Sequence, residues 1–563
     1  MISVMKTNII KTTFLFTVIL LGLTSCEDFL KEQPYSFASG DDFYTSETNA
    51  ELGLTGVYNV LNVGSIQSQG NQPLWGRGIH YLMMHGDEVV GNLTDISAAD
   101  HKEIASMSYN SETTFVSDAW FALYVGINRA NNIIKYVPSI EMDSTRKSQI
   151  VAEAHFFRGF YELYLTWLFG AIPLPVNPTG DSYLPRSSTK EVYASILADL
   201  DIAYKNLPGR NIRVGRINKW TAAGFMVKAY TYMAACKTNN VGEDLNFELN
   251  SFQWVDAADC YQKAEIIAQD IYSNAGYVLG NPVYKSFLAD TKEDQKKECL
   301  MVVQAGPNTS NNYYLFSYLS GPQGNVGVNG GNYGWIRPVG ELCDKYNPQD
   351  SRFYWNIQGS LGGTTSTSIN GSKYFTPYAV NSTGSNLCLT KFRQSDPAIR
   401  TALGIPTWAS NIDFPVLRFS DIILLLAESK YMNGNEVDAR NLITEIRKRT
   451  CTNGNTVDQS TLTTLNSIYY RSDFMQELMD ERSRELCGED WRRIDLIRMG
   501  AFASTILNMK QEAQSGTPYY YFNKGLATIA ANLGSDDHKI WYPIPKREIA
   551  VNSNLVQNPG YNK

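Results

Sequence analysis

QIVAEAHFFRGFYELYLTWLFG, residues Gln149–Gly170, decides the fold of this chain. Apolar and small side chains recur at i, i+3, i+4 and i+7, the period of a helix with a buried stripe. The stretch is so apolar that it reads as a core helix, and Gly170 with Pro173 and Pro175 closes it. His155, Arg158 and Trp167 sit within it. Its apolar content favours a structural role for them, with Arg158 paired to a nearby carboxylate. Neighbouring segments repeat the pattern: DAWFALYVGINRANNIIKYV before it, then SSTKEVYASILADLDIAYKNL, NKWTAAGFMVKAYTYMAA and VDAADCYQKAEIIAQDIY. Ser188 and Glu191 have the spacing of a capping box, and Asn218 that of an N-cap. Ala and Tyr at the contacts of such pairs predict tetratricopeptide-like stacking over residues 41–275.

Helical periodicity returns in SDIILLLAESKYMNG, NEVDARNLITEIRKRT and SDFMQELMDERSRELCG, within a C-terminal part spanning 416–563. The closing WYPIPKREIAVNSNLVQNPGY is too rich in proline for a regular helix and reads as an extended strap. Between the two helical parts, residues 276–415 are rich in Gly, Asn, Ser, Thr and Tyr, SGPQGNVGVNGGNYGW being the extreme case. So long a loop region points to function, and its interleaved aromatics argue against disorder. The fold class is therefore mainly α: a helix-pair scaffold with a loop-rich side carrying short helices and strands.

The N-terminus gives an address. Lys6 and Lys11 precede an apolar run that ends in Leu23-Thr24-Ser25-Cys26. The run of roughly 11 residues is too short for a bilayer core, which takes about 20 in a helix. Residues 1–25 read as a secretory signal with a lipobox, Cys26 as the lipidated first residue, and 26–40 as a tether. A plain cleaved signal is the other reading. Cys26 aside, seven cysteines are scattered, without C-x-x-C. They read as buried small apolar residues, with room for one or two bridges outside the cytoplasm.

Net charge is -7, and no Lys/Arg run offers a phosphate footprint, which argues against nucleic acid as a partner. Aromatics make up 12% and charged residues only 19%, with 34 Tyr and 10 Trp. Such surfaces suit ligands with apolar ring faces and many hydroxyls, although a large core that uses Tyr explains the numbers equally well. No P-loop, G-x-S-x-G or dinucleotide fingerprint is present. Asp87 and Glu88, with His80 and His85, are the best candidates for acid/base or metal chemistry. Glu481–Arg498 crowds carboxylates and guanidiniums together; arginines would hold Glu485 and Glu489 ionised, which suits an ion-pair network better than a general acid.

Four segments together resemble the SusD/RagB family of Bacteroidetes outer-membrane lipoproteins. They are AEAHFFRGFYELYLTWLFGAIPLP (Ala152–Pro175), FPVLRFSDIILLLAESKYMNG (Phe414–Gly434), ERSRELCGEDWRRIDLIRMG (Glu481–Gly500) and YPIPKREIAVNSNLVQNPGY (Tyr542–Tyr561). Glu27 and Asp28 after Cys26 resemble the surface-export signal of lipoproteins from that phylum. The resemblance implies about four tetratricopeptide-like helix pairs. It also implies a non-catalytic lipoprotein at the cell surface. Such a protein captures oligosaccharide or polysaccharide for a SusC-like TonB-dependent transporter in the outer membrane. Peptide capture is a minority reading within the family; a lipid-anchored glycan hydrolase and a pure scaffold are alternatives outside it. No cofactor is expected, and no ligand spacing supports a structural Ca²⁺.

By region, the family's ligand site falls on Trp75–Asp95 and Tyr313–Trp335. An aromatic ring stacks on the C–H face of a pyranose, while amides and carboxylates bond its hydroxyls. Trp335 is the expected main platform, flanked by Tyr333 and Tyr314, with Trp75 a weaker candidate. Asn92, Asp95 and Asn332 are the expected hydroxyl partners. Buried packing and contact with the transporter barrel are the competing readings for Trp335.

Overall fold

The computed structural model describes residues 40–61, 74–94, 96–180, 183–210, 215–281, 283–287, 292–305, 334–359, 366–369, 372–375, 387–392, 412–453, 456–509, 525–534 and 537–562. Met1–Thr45 form a separate N-terminal unit, in which Gly40–Phe43 make one helical turn; the body is Ser46–Lys563.

The body is built on helices α1 (Glu47–Tyr58), α2 (Ala99–Ala105), α3 (Thr114–Tyr136), α4 (Ser144–Phe169), α5 (Thr189–Asn206), α6 (Lys219–Thr238) and α7 (Ala257–Asn274). After the loop-rich part come α8 (Phe419–Met432), α9 (Glu436–Lys448), α10 (Phe474–Leu486), α11 (Arg492–Arg498), α12 (Leu526–Leu533) and α13 (Lys546–Val551). From α3 to α9 each helix packs against the next. This is the stack of helix pairs expected from the sequence.

Helix α4 is its centre. Asp143 caps it by accepting from Arg146 N–H, and from Phe156 onward nearly every side chain is buried. A helix apolar on all sides belongs in the middle of a core. Burial of each of its large side chains contributes about 1.5–3 kcal/mol. The approach of α3 is close enough that a Cβ on Gly126 would lie 2.5 Å from the Tyr161 ring. Arg158 donates from Nε and Nη2 to Asp199 on α5, at 2.6 and 2.8 Å, which is the carboxylate pairing the sequence suggested. The Ser188/Glu191 capping box and the Asn218 cap both form.

Helix α4 ends at Gly170, whose φ of +75° an L side chain rarely adopts and where a Cβ would overlap the Asn250 amide. The C-terminal strap covers this end. Asn558 donates to the carbonyls of Phe169 (2.9 Å) and Tyr542 (2.7 Å), and Tyr542 N–H to that of Leu168 (2.7 Å). The strap is only partly extended: Pro545 precedes the short helix α13, because proline is tolerated ahead of a first turn. All seven cysteines from Cys236 to Cys487 are buried free thiols.

Four strands bear on the site: β1 (Val89–Gly91), β2 (Cys299–Val303), β3 (Ile336–Pro338) and β4 (Phe414–Arg418). They pair as two antiparallel ladders, β1 with β3 and β2 with β4. The second ladder closes the base of the loop-rich part, and α7 packs directly on α8 across it.

Beneath it lies the ion-pair network anticipated at Glu481–Arg498. Arg418 reaches Glu298 (2.6 Å), Glu485 (3.0 Å) and Glu489 (2.7 Å); Arg352 reaches Asp350, Glu481 and Glu485. Burial alone would push the Glu298 carboxyl up, but Arg449 and Arg418 beside it bring it down to about 2. Within Glu481–Arg498, Glu481–Arg484 and Asp495–Arg498 pair locally along a helix, while most partners come from distant segments.

Candidate functional site

The ladder β1–β3 sets Val89 opposite Pro338, Val90 opposite Arg337 and Gly91 opposite Ile336. It continues one step further, where Asn92 N–H donates to the Trp335 carbonyl at 2.7 Å. The C-terminal ends of the two regions singled out in the sequence, far apart along the chain, therefore meet at Asn92 and Trp335. Gly91 makes this arrangement fit, since a Cβ there would overlap that of Ala105 on α2.

The aromatic candidates are placed differently from expectation. Trp75 is only 1% exposed, stacked on Phe160 (centroids 5.7 Å apart) and edge-on to Tyr164 (5.3 Å). It is a core residue facing α4, which corrects its reading as a platform. Trp335 is 8% exposed and edge-on to His101, itself packed against Tyr81 and Phe115. Its indole seals the core beneath the ladder instead of standing open as a stacking face. Asn92 is half-buried at the ladder's end. Asp95, Tyr314, Asn332, Tyr333 and Cys26 lie outside the described residues.

Beside the ladder is an open hollow of about 680 Å³. Leu93 and Thr94 line it as the chain leaves β1; Lys102, Glu103, Ser106 and Ser108 come from α2 and the turn after it; Thr528 and Asn532 come from α12. Ser106 Oγ donates to Lys102 O (2.7 Å) and lies 2.9 Å from Ser108 Oγ, while Asn532 Nδ2 donates to Ser106 O (2.8 Å). Glu103 Oε2 accepts from Thr113 Oγ1 at 3.0 Å. Lys102 is exposed and joins no ion pair among the described residues. Hydroxyls, an amide, an ammonium and a carboxylate together supply donors and acceptors for a ligand rich in hydroxyl groups. Leu93 and Thr94 fall within the Trp75–Asp95 region; the other residues escaped the sequence reading because they come from widely separated segments, none with a motif.

The acidic candidates face inward. Asp87 accepts from Arg492 at 2.5 and 2.8 Å and from Lys345 at 2.6 Å. Burial opposes its charge, yet Arg492 and Lys345 hold the carboxyl well below the usual range. Burial pushes Glu88 up to about 7, against the pull of the same two cations. That value would suit a general acid. However, Glu88 is 4% exposed and borders a cavity of about 10 Å³, room for one water and not a sugar. His80 is held between Asp490 (2.6 Å) and the Trp75 carbonyl (3.1 Å). No group of three or more metal-ligating side chains occurs among the described residues.

Stacked helix pairs joined by two short antiparallel ladders define a helical-repeat scaffold. The family model described as "SusD family" matches residues 273–561, just over half the chain. A second, described as "Starch-binding associating with outer membrane", matches residues 30–231. The chain belongs to the SusD family. It is 23% identical over 566 residues to SusD-like protein P2 of Formosa agariphila, covering 97% of this chain and 99% of the relative. It is 24% identical over 614 residues to the starch-binding protein SusD of Bacteroides thetaiotaomicron, covering 99% and 100%. The fold matches a solved SusD homolog from B. thetaiotaomicron with TM-score 0.69 at 20% identity, over 93% and 98% of the two chains. It also matches surface glycan-binding protein A of the same organism in complex with laminarihexaose, with TM-score 0.67 at 18% identity, over 92% and 100%.

Proposed function

We propose that this chain captures an oligosaccharide in the hollow beside the β1–β3 ladder and hands it, uncleaved, to a SusC-like TonB-dependent transporter. A lipid on Cys26 holds it to the outer membrane, facing the medium. Among the described residues no helix is long and apolar enough to cross a membrane. The observation that carries the reading is the convergence of Thr94, Lys102, Ser108, Thr528 and Asn532 on one open hollow beside the β1–β3 ladder. The starch-binding and glycan-binding relatives support the same class of ligand. Inward-facing Asp87 and Glu88 support capture without cleavage. Tyr314, Asn332, Tyr333 and Asp95 retain their proposed role as ring platforms and hydroxyl partners.

An open polar site binds modestly, since water already satisfies the hydroxyls it takes. The test is electrophoresis of the full chain, in a non-ionic detergent, through gels containing single polysaccharides. Retardation without release of reducing ends, weakened about tenfold in Lys102→Ala/Thr528→Ala, is the expected result. Release of reducing ends would establish a hydrolase. Retention of peptides alone would establish the peptide-capturing variant of the family. Retention of neither, with a tight protein complex, would establish a scaffold.

A further inference from the structure

A larger groove, of about 940 Å³, opens where the end of α1, the start of α6 and strand β2 meet. Its described lining includes the cations Arg129, Arg210, Arg216 and Lys296 and a single carboxylate, Asp413. This excess of positive charge stands out in a chain whose net charge is -7. Most of these charges are already matched. Asp413 accepts from Lys292 (2.5 Å) and from Ala305 N–H (3.0 Å). Arg216 pairs with Glu51 and Glu153, each at 3.0 Å, and Lys296 with Glu293.

Arg210 is different. Its Nη1 donates to the Gly276 carbonyl (2.5 Å) and its Nη2 to the Lys296 carbonyl (2.8 Å). The guanidinium lies 4.5 Å above the Tyr277 ring. Tyr277 is itself fixed, buried and accepting from Asn218 Nδ2 at 3.1 Å. Two carbonyls and a ring thus set the plane of the guanidinium, with no carboxylate paired to it among the described residues. Five N–H donors belong to an arginine, so those not used here remain on an exposed edge at the groove. A planar fork held in advance is the arrangement that binds a carboxylate through two parallel hydrogen bonds. The groove falls within the size range of small-ligand sites.

We propose that this groove binds an acidic sugar chain, with a uronate carboxylate on the open edge of Arg210. The proposal rests on the glycan-capture reading and names the ligand class for a second site, distinct from the hollow at the β1–β3 ladder. Neutral rings would be held by hydroxyl contacts alone, so the site would select charge.

The test is calorimetric titration of the full chain, in a non-ionic detergent, with tetragalacturonate and with its carboxyl-reduced, neutral counterpart. Tetragalacturonate should bind at least about tenfold more tightly than the neutral chain, and less tightly as salt is raised. Arg210→Gln, at an exposed position, should abolish that difference, while retardation by neutral polysaccharide at the hollow beside the β1–β3 ladder persists. Arg210→Lys, which keeps the charge but loses the fork, should fall between the two. Equal binding of both sugars by wild type, or tetragalacturonate binding that survives Arg210→Gln, would overturn the proposal. So would Arg210-dependent binding of an oligoglutamate peptide in place of the sugar. Retardation by neutral polysaccharide without tetragalacturonate binding would sink this inference alone. Absence of any glycan binding would sink the capture reading with it.

Discussion

Arg418 Nη1 lies 2.6 Å from Glu298 Oε1, and neither side chain is exposed. Glu298 immediately precedes β2 and Arg418 ends β4, where Cys299 and Arg418 face each other in the ladder. The pair staples the two ends of the loop-rich part. Removing one partner of a buried pair strands the other charge, which costs about 3–5 kcal/mol. Arg418→Met should lower unfolding stability by about that much in urea denaturation. A loss under about 1 kcal/mol would show that the surrounding arginines compensate.

Trp75→Ala should destabilise by about 3–5 kcal/mol, the usual loss when a packed indole is deleted. Glycan retention should persist under conditions where the variant stays folded. Undiminished stability together with lost retention would restore Trp75 as a ligand platform.

Gly91→Ala inserts a methyl group against Ala105 and forces β1 away from α2. Overpacking of this kind costs about 1–3 kcal/mol. Because the same contact shapes the hollow, glycan retention should weaken in parallel. Full retention would place the ligand elsewhere.

Glu162, on α4, is raised to about 8 by burial and by the neighbouring Asp199 charge, despite Arg158. An acid whose folded value exceeds its unfolded value favours the folded state below the unfolded pKa. That contribution is lost as pH rises from about 4.5 through about 8. Melting temperature should therefore fall between pH 5 and pH 9, and Glu162→Gln should flatten that fall. Parallel profiles for the two proteins would show that Glu162 does not titrate in this range.

Periodicity made the scaffold legible. The buried residues of α4, the Ser188/Glu191 box and the Asn218 cap all express local rules, which a chain displays within one turn of helix. Partners across the fold were not legible. Arg158 announced a need for a carboxylate, but nothing near it named Asp199. Likewise, the charge-rich Glu481–Arg498 stretch suggested pairs along a helix, whereas Arg418, Arg352, Asp421 and Glu428 arrive from elsewhere. Of the aromatic candidates, Trp75 and Trp335 are packed into the core. A tryptophan that fills a core and one that waits for a sugar look alike in sequence, and only Phe160 and Tyr164 around Trp75 tell them apart. The hollow carried no signal because no single segment contains it.

The direct packing of α7 on α8 has an evolutionary consequence. The scaffold closes on itself as though the chain between those helices were a cartridge slotted into a socket, with the β2–β4 ladder as the latch. Sequence change between those two helices can therefore accumulate while the socket keeps its shape.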